Sequence, residues 1–222
     1  MNANSAPPRP LAEELLLLCA EPVHGRLRVP TTALPTALTG AVLAELQLRG
    51  AITVDNHRIT GFQPLGDHDE LAAGVLAELA RAGKSRRHTT IEHALRRMPH
   101  HRAQRYFLDR LTEQGALAVR TRRFLGLPYR RWTAVRPDAG ALIAERVAAT
   151  LARTGTLGPT TPAEERDWQL AGLIGAARLE NRLYRGAAGA PTRHAVRHLA
   201  RSLPIAHAVK RVVAARSSAA SG

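Results

Sequence analysis

Apolar residues recur at helical spacing early in the chain and give way to a short extended segment. Leu38, Val42 and Leu46 lie four residues apart and therefore share one face of a helix. Gly50 follows them, at a place where a helix commonly ends in a left-handed residue. The segment 51–60 has the composition of two short strands around an Asp-Asn turn. The pattern predicts a helix, a glycine, a strand, a turn and a second strand.

The same order of elements returns further along the chain. Apolar positions predict a helix over residues 102–114, and Gly115 ends it. A strand over 116–119 follows, and a loop over 120–127 leads to a partner strand over 129–135. We therefore expect two helix–glycine–hairpin units.

The remaining segments are mainly helical in pattern. Further helices are predicted over residues 11–21, 70–82, 91–98, 139–151, 164–183 and 193–216, the last bent near Pro204. The expected fold class is mostly α, a single compact multi-helix domain with two short β-hairpins. A disordered leader over 1–10 is predicted to precede the helical domain over 11–215, and a flexible tail over 216–222 to follow it.

Basic residues outnumber acidic ones by a wide margin. The chain of 222 residues carries 32 lysines and arginines against 18 acidic residues, a formal net charge of +14. Such a charge favours association with a polyanion, either nucleic acid or an anionic membrane surface. Lys84 and Lys210 are the only lysines, however, and an arginine- and alanine-rich composition is also typical of GC-rich coding sequence.

The sequence predicts a cytoplasmic protein without a membrane span. No apolar run approaches the roughly 18 residues that a transmembrane helix needs. The apolar run at 15–18 is too short, and its flanks too acidic, for a signal peptide. The single cysteine, Cys19, lies between apolar residues and is predicted to pack in the core.

No arrangement of residues predicts catalysis, a metal site or a cofactor. His194 and His198 lie four residues apart but lack a third ligand, so we interpret them as solvated residues of a basic helix. The segment Gly83-Lys84-Ser85 resembles the end of a phosphate-binding loop, but the glycine that should precede it by five residues is missing. We expect a protein that is not an enzyme.

The second predicted hairpin combines arginines with large apolar residues. Aromatic and leucine side chains beside guanidinium groups suit a lipid interface. A basic ribbon after a helix also suits the wing of a winged-helix DNA-binding protein. An ordinary packed hairpin with solvated arginines has the same composition, so the residues alone leave three interpretations open. The arginines are Arg120, Arg122, Arg123, Arg130 and Arg131, and the apolar residues include Leu125, Tyr129 and Trp132.

Several sequence segments, taken in order, carry a family resemblance. They are residues 11–18 (LAEELLLL), 38–50 (LTGAVLAELQLRG), 64–70 (PLGDHDE) and 111–117 (LTEQGAL), with weaker similarity over 167–183. In this order they resemble the Golgi phosphoprotein 3 family, in the form found in actinobacteria. The resemblance implies a mostly helical single domain that binds phosphatidylinositol 4-phosphate on a basic face.

The resemblance also implies partners. Eukaryotic members of the family adapt glycosylation enzymes to vesicle coats on Golgi membranes. The expected partners are therefore an anionic phospholipid or phosphoinositide surface and the cytoplasmic tails of membrane enzymes, with nucleic acid as the alternative. The family hairpin that supports oligomerisation matches residues 117–135, which implies a homo-oligomer. We expect the protein on the inner face of the cell membrane.

The headgroup pocket of the family is matched only in part. Pro30 and Thr39 stand where the family has a tryptophan and an arginine, and His101 and Gln104 stand at the places of two further arginines. Arg102 and Arg105 keep the spacing of that arginine pair one position further on. The expected headgroup-binding residues are Arg102, Arg105, Arg120, Arg122, Arg123, Arg130 and Arg131, with Leu125, Tyr129 and Trp132 contacting the membrane.

Overall fold

The computed structural model describes residues 9–21, 27, 33–63, 72–77, 79, 89–98, 100–124, 127–155 and 157–219, except for the side chains of 122–129. Residues 1–8 of the leader predicted over 1–10, the segment Gly83-Lys84-Ser85 and the positions of Pro30 and Leu125 lie outside the described residues.

Helices dominate the described chain, and two small antiparallel sheets interrupt them. The helices are α1 (Leu11–Cys19), α2 (Ala33–Leu48), α3 (Ile91–Arg97), α4 (His100–Glu113), α5 (Ala139–Thr154), α6 (Pro162–Ala176), α7 (Glu180–Leu183), α8 (Ala190–Ser202) and α9 (Pro204–Ala219). The strands are β1 (Ile52–Asp55), β2 (Arg58–Phe62), β3 (Thr89–Thr90), β4 (Leu117–Phe124) and β5 (Leu127–Ala134). Residues 72–77 are also helical. The predicted fold class, mostly α with short hairpins, is confirmed.

Two helices, α2 and α6, form the centre of the molecule and pack against each other. Residues 33–44 of α2 are buried all round, which follows from the absence of any charged residue in that stretch. Glycines let neighbouring helices come close. A Cβ on Gly175 of α6 would lie 2.7 Å from the carbonyl oxygen of Val196 in α8, and one on Gly40 of α2 would overlap the side chain of Val209 in α9.

Among the described residues, six helices surround this central pair. α1 packs on α4 and α5, α5 packs on α8, α8 packs on α9, and α9 packs on α3. α3 and α4 follow each other along the chain and close the ring. In the resulting order α1, α5, α8, α9, α3, α4, helices α4 and α8 are three places apart in either direction. They therefore lie on opposite sides of the molecule.

Buried carboxylates connect the ring to the centre. Arg146 of α5 donates two hydrogen bonds to Glu14 of α1 and one to Asp167 of α6, each at 2.9 Å. Thr150 donates to the second oxygen of Asp167 at 2.8 Å. Because both carboxylates are buried, loss of the arginine would leave them without a counter-charge. This network fixes α1, α5 and α6 relative to one another.

The second hairpin is longer than predicted. Residues 120–124, expected in a loop, belong to β4, and the pairing with β5 continues to Phe124 and Leu127. Arginine-rich stretches lack the apolar alternation from which strands are predicted. The strand was therefore predicted to end at residue 119, before its observed end. The first hairpin also gains a strand that was not predicted, since Thr89 of β3 pairs with Ile59 of β2.

The helix predicted over 164–183 is interrupted. α6 ends at Ala176, and Arg178 takes a φ of 59°. The Arg178 amide donates to the Gly175 carbonyl at 3.1 Å and the Leu179 amide to the Ile174 carbonyl at 3.0 Å. These are the paired bonds of a Schellman helix end. Because the left-handed residue is an arginine, the glycine rule for helix ends did not find it.

The helix predicted over 193–216 is two helices. α8 begins at Ala190, with Pro191 in its first turn, and ends before Leu203. Leu203 is extended, as the residue before a proline usually is, and α9 begins at Pro204. None of the helices in the described part of the chain is long and apolar enough to cross a bilayer.

Candidate functional site

Helix α4 separates its residues into a buried and an exposed face. Ala103, Phe107 and Leu111 point into the core at a spacing of four residues. Arg102 and Arg105 are exposed on the other face, one turn apart. The structure thus places both predicted arginines of α4 where they can reach a ligand in solvent.

A third arginine of α4, Arg110, has a structural role. The Arg110 Nε lies 2.9 Å from a carboxylate oxygen of Glu13 in α1, which is buried. An Nη1 group of Arg110 donates to the hydroxyl of Tyr106 at 3.2 Å. Arg110 therefore anchors α4 on α1 and is not a member of the exposed set.

Gly115 turns the chain from α4 into the ribbon formed by β4 and β5. It takes a φ of 68°, its amide donates to the Thr112 carbonyl at 3.0 Å, and the Ala116 amide donates to the Leu111 carbonyl at 2.9 Å. These bonds complete a Schellman motif. α4 also packs against β4. Helix and ribbon therefore lie side by side.

The register of the ribbon divides the arginine positions between its two faces. Arg120 lies opposite Arg131, and Thr121 opposite Arg130. Since successive strand residues alternate and opposite residues share a face, positions 120, 122 and 131 lie on one face. Positions 123 and 130 lie on the other face, further out from the core than Leu117 and Ala134, which are buried. The sequence did not separate these two sets.

The aromatic and apolar positions of the ribbon are only partly accessible. Trp132 is half-buried and packs against the core, whereas Val119, directly opposite it, has 43% of its surface exposed. Tyr129 is paired with Arg122 in the backbone register. Of the predicted membrane-contacting residues, Trp132 thus keeps one accessible side. Val119, which the sequence interpretation did not single out, adds exposed apolar surface beside it.

The family position held by Thr39 is a buried polar contact between α2 and α4. The Thr39 hydroxyl donates to the Pro35 carbonyl at 3.0 Å and lies 2.8 Å from Nδ1 of His100. Both residues are buried. A guanidinium group is therefore absent at this position, and the small threonine lets the first residue of α4 pack directly on α2.

His100 is held in its neutral form. Burial, together with the nearby charge of Arg216, lowers the pKa of the imidazole from 6.5 to about 4, against the opposing effect of the Leu95 carbonyl. Arg216 of α9 donates to the hydroxyl of Thr36 at 2.9 Å. The sequence reasoning missed this cluster, because His100, Thr36 and Arg216 share no spacing that would signal a common location.

The remaining candidates for chemistry behave as solvated or core residues. His194 and His198 are exposed on α8, and Cys19 is buried in α1. The described residues contain no group of three or more histidine, cysteine, aspartate or glutamate side chains placed to hold a metal ion.

The fold and this site define a helical protein in which an arginine-bearing helix packs against an arginine-bearing ribbon. The family model of Golgi phosphoprotein 3 (GPP34) matches residues 11–216. The match covers nearly the whole chain, so the protein belongs to this family, as the sequence segments indicated. A comparison with curated proteins found no match.

Proposed function

We propose that the protein is a non-enzymatic peripheral membrane protein that binds anionic phospholipid headgroups. The binding surface is the α4–ribbon face, defined by Arg102, Arg105, Arg120, Arg122, Arg123, Arg130 and Arg131. The observation that carries the proposal is the joint exposure of arginines on two packed elements, beside the exposed Val119 and the half-buried Trp132. The exposed arginines are Arg102, Arg105, Arg120 and Arg130, and Arg131 is half-buried. Guanidinium groups bind phosphates in a bidentate manner, and apolar residues next to them suit the depth of the headgroups.

The charge of this face is large enough for reversible attachment. Each arginine near an anionic leaflet contributes about 1 kcal/mol, so three or four arginines give roughly millimolar binding, and all seven approach the micromolar range. Apolar contact by Val119 and Trp132 adds to this value. The division of the ribbon arginines between two faces means that a ribbon lying edge-on to the membrane uses both sets.

The lipid implied by family resemblance is phosphatidylinositol 4-phosphate. The contact between Thr39 and His100 fills a position at which the family has an arginine, and His100 itself is neutral. We therefore propose that the charge density of the leaflet contributes most of the affinity, with phosphatidylinositol 4-phosphate as the best ligand because its headgroup carries more charge than a monoanionic lipid.

The ribbon also supports the expected homo-oligomer. β4 and β5 pair only with each other among the described residues, and unpaired strand edges are templates for a second chain. We further propose the inner face of the cell membrane as the location and the cytoplasmic tails of membrane enzymes as partners.

Vesicle sedimentation tests the proposal. The protein is mixed with neutral vesicles, with vesicles containing a monoanionic phospholipid, and with vesicles containing phosphatidylinositol 4-phosphate at equal total charge. We expect binding to both anionic preparations that weakens with salt, and none to the neutral one. Equal, negligible sedimentation with all three contradicts the proposal. Retardation of duplex DNA at low salt, without vesicle binding, would favour the nucleic-acid alternative instead.

A further inference from the structure

A second basic surface lies on α7 and α8. Its exposed residues, here called the α8 face, are Arg178, Arg182, Arg185, His194, His198 and Arg201. Between residues 177 and 202 the only acidic residue is Glu180. Glu180 is buried and accepts a hydrogen bond from Arg197 at 3.1 Å. Because Arg197 neutralises this carboxylate, the charges that residues 177–202 expose are all positive.

The packing of α8 explains why its charges collect on the outside. Val196, Leu199 and Ala200 are buried, and Gly172 and Gly175 of α6 let α8 approach closely. His194, His198 and Arg201 lie on the opposite, exposed side of α8. Arg193 is used within the fold, since it donates to the carbonyls of Tyr184 and Gly186.

The α8 face points away from the α4–ribbon face. α4 and α8 stand on opposite sides of the central pair α2 and α6, and each exposes the side that is turned away from it. A compact domain of this length is about 40 Å across. The screening length at 0.1 M salt is about 10 Å. The two faces therefore act as independent electrostatic surfaces, and a membrane bound by one does not reach the other.

The α8 face, which is basic and lacks large exposed apolar side chains, is suited to bind phosphate groups arranged in a plane. Among the described residues the exposed large apolar side chains are Val119, Val135, Leu142 and Leu157, and none of them lies on α7 or α8. Protein interfaces rely on buried apolar and aromatic anchors, which this face lacks. Two adjacent elements carry its charges, which makes a broad surface rather than a single ridge for a DNA groove. Headgroup phosphates of a bilayer fit such a surface best.

We propose that the α8 face binds a second anionic bilayer, so that one molecule bridges two membranes. This inference rests on the proposed function of the α4–ribbon face. A gap of about 40 Å between the bilayers is several screening lengths, so the repulsion between their surfaces does not oppose the bridge. Individual contacts are weak, but many copies at one junction act together.

The experiment compares vesicle binding with vesicle clustering. Sedimentation reports binding, and dynamic light scattering reports clustering, both with vesicles of neutral and monoanionic phospholipid. The variant R182S/R201S removes two charges from the α8 face. The matched variant R120S/R130S removes two from the α4–ribbon face. Thermal unfolding and size-exclusion chromatography establish that both variants keep the fold and oligomeric state of the parent.

We expect R182S/R201S to sediment with vesicles within about twofold of the parent, since the other face is intact, and to lose most of the clustering. R120S/R130S should lose most of the clustering, and its sedimentation should weaken about 30-fold without vanishing, because the α8 face is intact. Clustering by R182S/R201S at the level of the parent overturns the inference, as does sedimentation of the parent without clustering at every protein-to-lipid ratio. Failure of the parent to sediment would instead contradict the proposed function. Loss of duplex DNA retardation in R182S/R201S with unchanged clustering would assign the α8 face to nucleic acid and also overturn the inference.

Discussion

The two helix–glycine–hairpin units end their helices identically but use their ribbons differently. Gly50 and Gly115 have φ values of 69° and 68°, and each unit forms the same two amide–carbonyl bonds, at 3.0 and 2.9 Å. The first ribbon has strands of four and five residues and is covered by β3. The second has two strands of eight residues and no third partner among the described residues.

The helices of the two units differ in burial, as their ribbons do. α2 is buried at the centre, so its unit serves the core. α4 lies in the ring and exposes Arg102 and Arg105. The same local construction thus serves stability where it is covered and is available for binding where it is exposed. Position in the fold, rather than the motif, separates the two roles.

Truncating the centre of the first unit should have the largest effect. Leu38 of α2 is fully buried, and L38A should lower the free energy of unfolding by about 2–5 kcal/mol. The matched change R105A on the exposed face of α4 should stay within about 0.5 kcal/mol. Urea denaturation measures both values. A loss below that of R105A would show that α2 does not hold the centre of the core.

The contact between the units should make stability depend on pH. The pKa of His100 is lowered to about 4 in the folded protein, so between about pH 6.5 and 4 the unfolded chain binds the extra proton. Stability is therefore highest above pH 6.5 and falls as the pH is lowered towards 4. A shift of this size corresponds to about 3 kcal/mol.

The variant H100Q should lack this part of the pH dependence, although it is less stable at neutral pH. The neighbouring H101Q, at an exposed position, should keep it. Chemical denaturation at pH 7, 5.5 and 4 gives the three profiles. Parallel profiles for the parent and H100Q would refute the assignment of the effect to His100.

Removal of arginines from the second ribbon, but not from the first unit, should weaken binding to anionic vesicles. R120S/R130S, in the second unit, should weaken association with anionic vesicles about 30-fold, because each arginine contributes about 1 kcal/mol. The charge-matched R49S/R58S changes exposed residues of the first unit and should leave binding within about threefold, since only long-range attraction is lost. Equal losses in both variants would mean that net charge, not the α4–ribbon face, determines binding.

Alanine substitution of either glycine should have the smallest effect on stability, and the effect should be equal at the two positions. A Cβ on Gly50 or Gly115 would meet no atom within 4 Å, so G50A and G115A cost only the strain of a left-handed backbone. We expect each to lower the unfolding free energy by about 1 kcal/mol, seen as similar falls in the melting temperature. A clear difference between the two would show that the units are not equivalent at their turns.

Local signals predicted the elements whose causes are local. The Schellman turns at Gly50 and Gly115 followed from a glycine after an apolar stripe. Thr90 directly precedes the helix predicted over 91–98 and caps α3, accepting from the His93 amide at 3.2 Å. The break after Ala176 escaped prediction because Arg178, not a glycine, takes the left-handed conformation. The extent of the second ribbon escaped prediction because its strands lack apolar alternation.

The sequence by itself determined the mostly helical class, the two hairpin units, the family and the excess of arginine. Each of these depends on residue identity and short spacing. Only the tertiary structure decided that Thr39 meets His100, that α2 and α6 are central, and that α4 and α8 lie on opposite sides. The physical reason is that these relations join residues far apart in the chain, so packing rather than periodicity fixes them. The charge was apparent in the sequence, and its division into two faces came from the fold.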